Sequence, residues 1–376
     1  MVCTRCVQEP YLRRLVQRQG GHEQCDFCDQ VPNGAEHSLP LEDLMPYVVD
    51  GINVDFEDPN NAGVPVDGGE YVFEPMAAIE IVPELQITEC MPLQDAIVDA
   101  LSDFFWVERD WAEEPPAIVT GWSDFKQAVT TARRYTFLSQ TGPDPSSGWG
   151  IPLNQVPSEL VHLISTAGLV TAIPAGTTWW RARPHGTMRP WPTTAKELGA
   201  PPSAAAKDNR MAPKGIAVFS GANQGSGAFA EVVNYADTSP MITVAQFEQL
   251  RDMRMVDLRN PPAILSVFDP KTQKAELTRV RFLHSFIGDL TRPSSPDDQS
   301  HLEYIPSQII AEHLRYDLAV DGLLWTSAAD RRSTVCALFL DNDEMAEPGM
   351  AASSGGKQKA MRLMTGSVDR RYPPYR

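Results

Sequence analysis

Two cysteine pairs open the chain, Cys3-x-x-Cys6 and Cys25-x-x-Cys28, separated by 18 residues. A C-x-x-C turn offers two thiolates to one ion, and two such turns complete a tetrahedral set of four sulfurs. Four soft, deprotonated donors saturate zinc and leave no open position, so the pattern predicts one structural zinc ion. Two disulfides would not suit a reducing cytosol, and a redox C-x-x-C normally accompanies a βαβ unit. His22 reads as an exposed loop histidine, and Cys90 and Cys336 as ordinary buried thiols. Arg5, Arg13, Arg14 and Arg18 could meet nucleic acid, but only Tyr11 and Phe27 are at hand to stack on bases. A structural clip is the better reading.

The second group of chemically capable residues lies in the C-terminal half. Its first block is Trp179-Trp180-Arg181-Ala182-Arg183-Pro184-His185. The second runs from Asn209-Arg210 through Pro213 and Gly215 to Val218-Phe219-Ser220, and then to Ala228-Phe229-Ala230-Glu231. The third holds Glu303-Tyr304-Ile305-Pro306-Ser307-Gln308 and Asp321 to Ser327. Gly225-Ser226-Gly227 invites a dinucleotide-binding reading, but Ala230 stands at the third glycine and no acidic residue follows suitably. The sequence has no P-loop, no H-E-x-x-H and no G-x-S-x-G elbow.

In order and spacing, the chain from about Thr177 to Asn342 resembles the RES domain, a family named for its arginine, glutamate and serine. Trp180-Arg181 matches the family's opening aromatic–arginine pair. Arg210, Pro213, Gly215, Phe219 and Glu231 match its G-R-W-N-P-x-G block, the strand that follows and the helix bearing the glutamate. The Tyr-x-Pro-[Ser/Thr]-Gln block falls on Tyr304 to Gln308, and the Asp-Gly block ending in serine on Asp321 to Ser327. Asn209, Met211 and Ala212 depart from the family's Gly, Trp and Asn, and Phe219 lacks the hydroxyl of its tyrosine. The knuckles and the helical region resemble the extension found on some RES proteins and named after the HEPN fold. That fold's R-x(4–6)-H ribonuclease motif is missing.

The resemblance implies an α+β protein with an ADP-ribosyltransferase-like RES fold in its C-terminal part. It also implies an enzyme that cleaves the nicotinamide–ribose bond of NAD⁺ by hydrolysis or phosphorolysis, as a toxin or defence effector. NAD⁺ carries a pyridinium leaving group, so the cost lies in the oxocarbenium-like charge on the ribose. The implied catalytic residues are Glu231, which would stabilise that charge, with Arg181 and Ser327. Arg181 and Arg210 would grip the diphosphate in fork-like hydrogen bonds, Phe219 would stack on nicotinamide, and Ser327 would position the substrate. Trp180, Tyr304 and Gln308 would line the site, and Arg183 would help if inorganic phosphate attacks. An antitoxin or regulatory partner follows by analogy. Two other readings stay open: an ADP-ribosyltransferase acting on a macromolecule, and a non-enzymatic zinc-containing interaction protein. Phe229 stands where a Glu-x-Glu transferase has its first carboxylate.

These residues need elements to hold them. The sequence predicts strands at Thr177–Arg183, Gly215–Ser220, Met241–Glu248, Met253–Leu258, Gly322–Ser327 and Val335–Asp341. Helices are predicted at Gly227–Tyr235, Leu277–Leu290 and Ser307–Tyr316. Strands and helices that do not strictly alternate point to α+β rather than a doubly wound sheet. Upstream, helices are predicted at Leu93–Phe105, Trp122–Tyr135 and Pro157–Thr166, with a loop at Gln140–Trp149. Val31–Glu89 reads as irregular, with a short strand at Tyr71–Phe73. The expected organisation is a zinc-knuckle pair at 1–30, an acidic, partly helical domain at 31–150, the RES domain at 151–343 and a disordered basic tail at 344–376.

Charge supports this division. The 376 residues carry a net charge of −17. Ala35 to Thr120 holds 20 acidic residues and a single basic one, Arg109, so the rest of the chain is near neutral. That argues against binding to phosphate backbones, which needs clustered Lys and Arg. The acidic stretch reads first as a solubilising surface and second as a docking surface for a basic partner. No run of about 18 apolar residues or secretory leader is evident, so membrane insertion is not expected and a cytoplasmic location is.

Overall fold

The computed structural model describes residues 1–109, 117–139, 151–186, 190–233, 241–292, 300–353 and 358–372. They form two units, Met1–Pro116 with Ala263–Arg281, and Ala117–Pro262 with Phe282–Arg376. The loop expected at Gln140–Trp149 and the end of the helix expected to reach Tyr235 lie outside the described residues.

The first unit runs β1 (Val2–Cys3), α1 (Pro10–Gln19), β2 (Ser38–Leu39), α2 (Leu41–Asp55), β3 (Phe56–Glu57), β4 (Val66–Asp67) and β5 (Glu70–Tyr71). It continues through β6 (Met76–Ala77), α3 (Ala78–Glu84), α4 (Met91–Ala100) and β7 (Phe105–Glu108). Helix α1 starts at Pro10, where the missing N–H does no harm, and the Glu9 carboxylate accepts from the Leu12 N–H at 2.7 Å. The irregular structure expected over Val31–Glu89 is corrected by α2 and α3. In α2, Leu44, Val48, Gly51 and Ile52 form one buried stripe. Pro46 and the acidic outer face hide that stripe from a reading of periodicity. Gly51 is required by packing: a Cβ there would lie 2.3 Å from the Phe268 ring, which belongs to the same core. The helix expected over Leu93–Phe105 ends at Ala100. Phe105–Glu108 instead pairs with β3 and β6, in keeping with the strand preference of its aromatic and β-branched residues.

The second unit opens with α5 (Ala117–Gln127) and α6 (Val156–Thr166), followed by β8 (Val170–Ile173), β9 (Thr178–His185) and α7 (Ala195–Leu198). Next come β10 (Phe219–Ala222), α8 (Gly225–Val233), β11 (Met241–Gln249) and β12 (Met253–Asp257). Then follow α9 (Lys274–Thr291), whose first turns belong to the first unit, α10 (Ser300–Asp317), β13 (Gly322–Thr326) and β14 (Thr334–Leu338). The last strands are β15 (Met345–Ala346), β16 (Met361–Leu363) and β17 (Asp369–Arg371). Ten strands make one mixed sheet in the order β15-β16-β11-β9-β10-β14-β13-β12-β8, with β17 beside β16 on β11. Among the described residues, only β12–β13 and β15–β16 are parallel, so the unit is α+β. Strand β11 is buried along nearly its whole length, as a strand covered on both faces must be.

The helix expected at Trp122–Tyr135 is observed as α5 extended by a wider turn to Ala132. It belongs to the second unit: Trp122 packs edge-on against Phe286 at 5.1 Å and donates to Asp289 at 2.9 Å. The break expected near residue 150 therefore differs from the observed boundary at Ala117, and residues 263–281 join the first unit. The largest correction concerns the basic tail. Residues 361–363 and 369–371 pair with β11, and Ala360, Met361 and Leu363 are buried. The Lys and Arg content suggested disorder because it conceals these apolar contacts. Among the described residues, no helix is long and apolar enough to cross a membrane.

If the tail is part of the sheet, a chain ending at residue 350 should melt several degrees lower. Each buried apolar side chain it loses is worth about 1.5–3 kcal/mol. Thermal unfolding and hydrogen exchange along β11 would measure this; unchanged protection of Ile242–Gln249 would show that β16 and β17 contribute nothing.

Candidate functional site

Strand β1 and the start of α1 bring Cys3 and Cys6 to the loop that carries Cys25 and Cys28. All four sulfurs lie within 4.8 Å of one another, and none is in a disulfide. The sulfurs are 3.7 Å apart for Cys3–Cys6, 3.5 Å for Cys3–Cys28 and 3.8 Å for Cys6–Cys25. Tetrahedral ligands 2.3 Å from zinc stand about 3.8 Å from each other, so the donor set and its spacing fit one such ion. Burial pushes the Cys6 thiol up, an effect that a bound cation would reverse. The cluster is tied to distant chain: Thr88 donates to the Cys6 carbonyl at 2.6 Å, and the Cys90 thiol donates to the Phe27 carbonyl.

In the second unit, α8 and the turn after β13 bring together Glu231 and Ser327. The Ser327 hydroxyl donates to Glu231 Oε1 at 2.5 Å and accepts from the N–H groups of Ala329 and Asp330 at 3.2 and 2.9 Å. Ser327 is buried and Glu231 is half-buried. Helix α8 can approach this turn because of Gly227, where a Cβ would stand 2.2 Å from the Ser333 hydroxyl. Sequence reasoning passed over Gly227 and Ser333 as functional supports, although the Gly225-Ser226-Gly227 run was the available signal. Trp180 lies on the same face of the sheet, against Gly225 at the start of α8, whereas Trp179 points into the opposite core.

Arg181, one residue on from Trp180, leaves β9 on the Trp179 face. Its guanidinium lies 5.2 Å from the centre of the Phe219 ring and donates to the Ser220 carbonyl at 2.7 Å. The ladder between β9 and β10 has one register pair, Ala222 with Trp180, and Arg181 reaches across the place where that pairing lapses. Its Nε is buried without a hydrogen-bond partner. Burial, with the neighbouring Arg183, holds the Arg181 pKa down to about 10, still protonated near neutrality. Arg183 donates to the Glu197 carbonyl. Phe219 is fully buried, edge-on to Phe247, so the expectation that it stacks on nicotinamide is corrected. Its ring supports Arg181 instead.

The third group sits in the helical layer. Arg210 lies over the Tyr304 ring at 5.2 Å, and Arg210 Nη1 donates to the Asp289 carbonyl at 3.4 Å. Gln308 donates to Asp208 Oδ1 and to the Asn209 carbonyl at 2.6 and 2.7 Å, while the Ser307 hydroxyl donates to the Arg210 carbonyl at 2.8 Å. Tyr304 and Gln308 are both buried. The Tyr-x-Pro-Ser-Gln block thus clamps the 208–212 loop and fixes where Arg210 stands. A cavity adjoining this loop is lined by Met211, Pro213, Gln308, Arg315 and Phe339, and does not include Glu231 or Ser327. Trp325 packs against both the helical layer and the α8 cluster, on the face that carries Glu231.

Residues 18–143 match the family model of the HEPN/RES N-terminal domain 1, and residues 178–355 match that of the RES domain. No curated protein matches. Among solved structures, the chain is similar to one in the crystal structure of the M. tuberculosis MbcT–MbcA toxin–antitoxin complex. That likeness has 15% identity and a TM-score of 0.32, and covers 57% of this chain and 92% of that one.

The sulfur geometry leads to a measurable expectation. Elemental analysis of protein purified without chelators should find one zinc per chain. Replacing Cys25 and Cys28 by Ala should abolish it and lower the melting temperature of the first unit. Substoichiometric metal, or unchanged melting in that variant, would remove the metal from the cluster.

Proposed function

The chain carries a RES domain at residues 178–355 behind a HEPN/RES N-terminal domain 1 at 18–143, and from this premise we propose that it degrades NAD⁺ at the nicotinamide–ribose bond. The observation that carries the reading is the 2.5 Å hydrogen bond from Ser327 to Glu231. It joins the two residues that match the family's glutamate and serine in the sequence, 96 positions apart. Nicotinamide departs with the electron pair of the glycosidic bond, and positive charge develops on the ribose. The Glu231 carboxylate stabilises that charge, held in place by a serine whose own oxygen is fixed by two backbone donors. Water or inorganic phosphate then attacks the anomeric carbon, giving ADP-ribose or its 1-phosphate.

Arg181 supplies positive charge for the diphosphate. A buried N–H with no acceptor in the protein is costly, and a phosphate oxygen is the acceptor that would satisfy it. Glu231 sits on α8 over one face of the sheet, and Arg181 leaves β9 on the other. Arg210, fixed by Tyr304 and Gln308, stands on the Glu231 face as a second cation. The reading carries further parts: structural zinc in the cysteine cluster, a cytoplasmic site of action where thiols stay reduced, and a restraining protein partner such as an antitoxin. The N-terminal unit then regulates rather than catalyses.

Incubating the protein with NAD⁺, with and without phosphate, and resolving the products tests the proposal. Free nicotinamide with ADP-ribose or its 1-phosphate supports it; transfer of ADP-ribose to protein or nucleic acid, or no nicotinamide release, would sink it. Glu231→Gln keeps the shape and removes the charge, so turnover should fall about 10²–10³-fold with little change in KM. Arg181→Ala should raise KM as well, and Arg181→Lys should rescue only in part, because it restores charge without the fork. Near-normal turnover in Glu231→Gln would take the carboxylate out of the mechanism.

A further inference from the structure

The first unit has an open groove of about 360 Å³ whose lining includes Val49, Asn53, Glu57, Asp58, Phe104 and Trp106, with Asn61 and Phe105 beside them. Phe104 and Phe105 are 55% and 48% exposed, while Trp106 is buried. Phe104 stacks on Trp106 with ring centres 6.0 Å apart. A single exposed apolar residue needs no explanation. An exposed phenylalanine stacked on a buried tryptophan, with a second exposed phenylalanine next to it in a groove lining, makes the kind of aromatic patch found at interface centres.

We propose that this groove docks a basic segment of a partner protein through an aliphatic or aromatic anchor. Charge selects the occupant. Ala35 to Thr120 carries 20 acidic residues and one basic residue, Arg109. Arg109 is committed within the groove wall: its Nη2 donates to the Asn53 carbonyl at 2.6 Å and its Nη1 stands 3.5 Å from Glu57. Asp103 and Glu108 are exposed at either end of the aromatic run. Nucleic acid and an anionic membrane would be repelled from such a surface, and a second copy of the chain would bring the same negative charge. A cationic peptide with an apolar side chain satisfies both halves of the site, the carboxylates steering it and the phenylalanines holding it. This surface does not depend on the chemistry proposed for the RES domain.

Fluorescence anisotropy on the full chain tests the assignment with three labelled peptides. One is rich in Lys and Arg with a central Leu-Phe anchor, one has Ser-Ser in place of the anchor, and one has Glu and Asp in place of the basic residues. The anchored basic peptide should bind, more weakly at high salt, and the other two should not. Phe104→Ser with Phe105→Ser should weaken binding at least about tenfold while leaving metal content and melting temperature unchanged. If that variant unfolds, Asn61→Lys decides, since it adds a repelling charge at an exposed position of the groove and should also weaken binding. Equal affinity for the Ser-Ser peptide would reduce the effect to charge alone and overturn the proposal. So would unaltered binding in the variants, absence of binding, or concentration-dependent self-association abolished by the Phe substitutions.

Discussion

A Cβ on residue 227 would stand 2.2 Å from the Ser333 hydroxyl, and that clearance sets how closely helix α8 can approach the turn after β13. The turn is braced independently of the helix. Ser327 N–H donates to the Ser333 carbonyl at 2.9 Å, Ser333 N–H to the Asp330 carbonyl at 2.8 Å, and the Ser333 hydroxyl to Asp330 Oδ2 at 2.7 Å. The entry to α8 is fixed as well, because Asn223 exchanges backbone and side-chain hydrogen bonds with Thr334. With both partners anchored, the Glu231–Ser327 distance follows from the depth at which α8 lies. A larger residue at 227 would move the carboxylate without touching it.

Much of the second unit was legible because its strands carry their own signal. Met241–Gln249 opens on the largely apolar Met241–Ala245 and Gly322–Thr326 is a mostly apolar run of strand length, and their expected bounds differ from those observed by one residue. The ordered blocks were legible too, since Arg181 and Glu231 sit on elements whose types the sequence predicts, and Ser327 stands one residue past the strand expected to hold it. What could not be read depends on partners distant in sequence. Helix α2 has its stripe interrupted by Pro46, and the need for Gly51 comes from Phe268. The short strands β15 to β17 have no periodicity to speak of; β16 and β17 are strands because they meet the edge of β11, and β15 because it meets β16. The burial of Phe219 follows from its pairing with Leu338, a register that no local pattern specifies.

The cysteine pairs show the same limit from the other side. Their spacing announced a four-sulfur site, and the sulfurs lie where a tetrahedron requires them. The spacing was silent on what the cluster fastens. Thr88 bonds to the Cys6 carbonyl and accepts from the Cys90 N–H at 2.9 Å, while the N–H groups of Gln8 and Glu9 reach the Ile87 carbonyl. A local clip thus becomes a joint between the first residues and the approach to α4.

Among the described residues, strand β11 has β9 on one side and, on the other, β16 and β17. Those two strands begin at Met361 and Asp369, more than a hundred residues after Gln249. On the ribosome, synthesis at about 5–20 residues per second would leave that side of β11 open for on the order of ten seconds. During that interval the nascent domain exposes a long apolar edge, the kind that recruits stray strands. Completion of the sheet is therefore a late event in the life of each molecule, and a chaperone that shields this edge would act in that window.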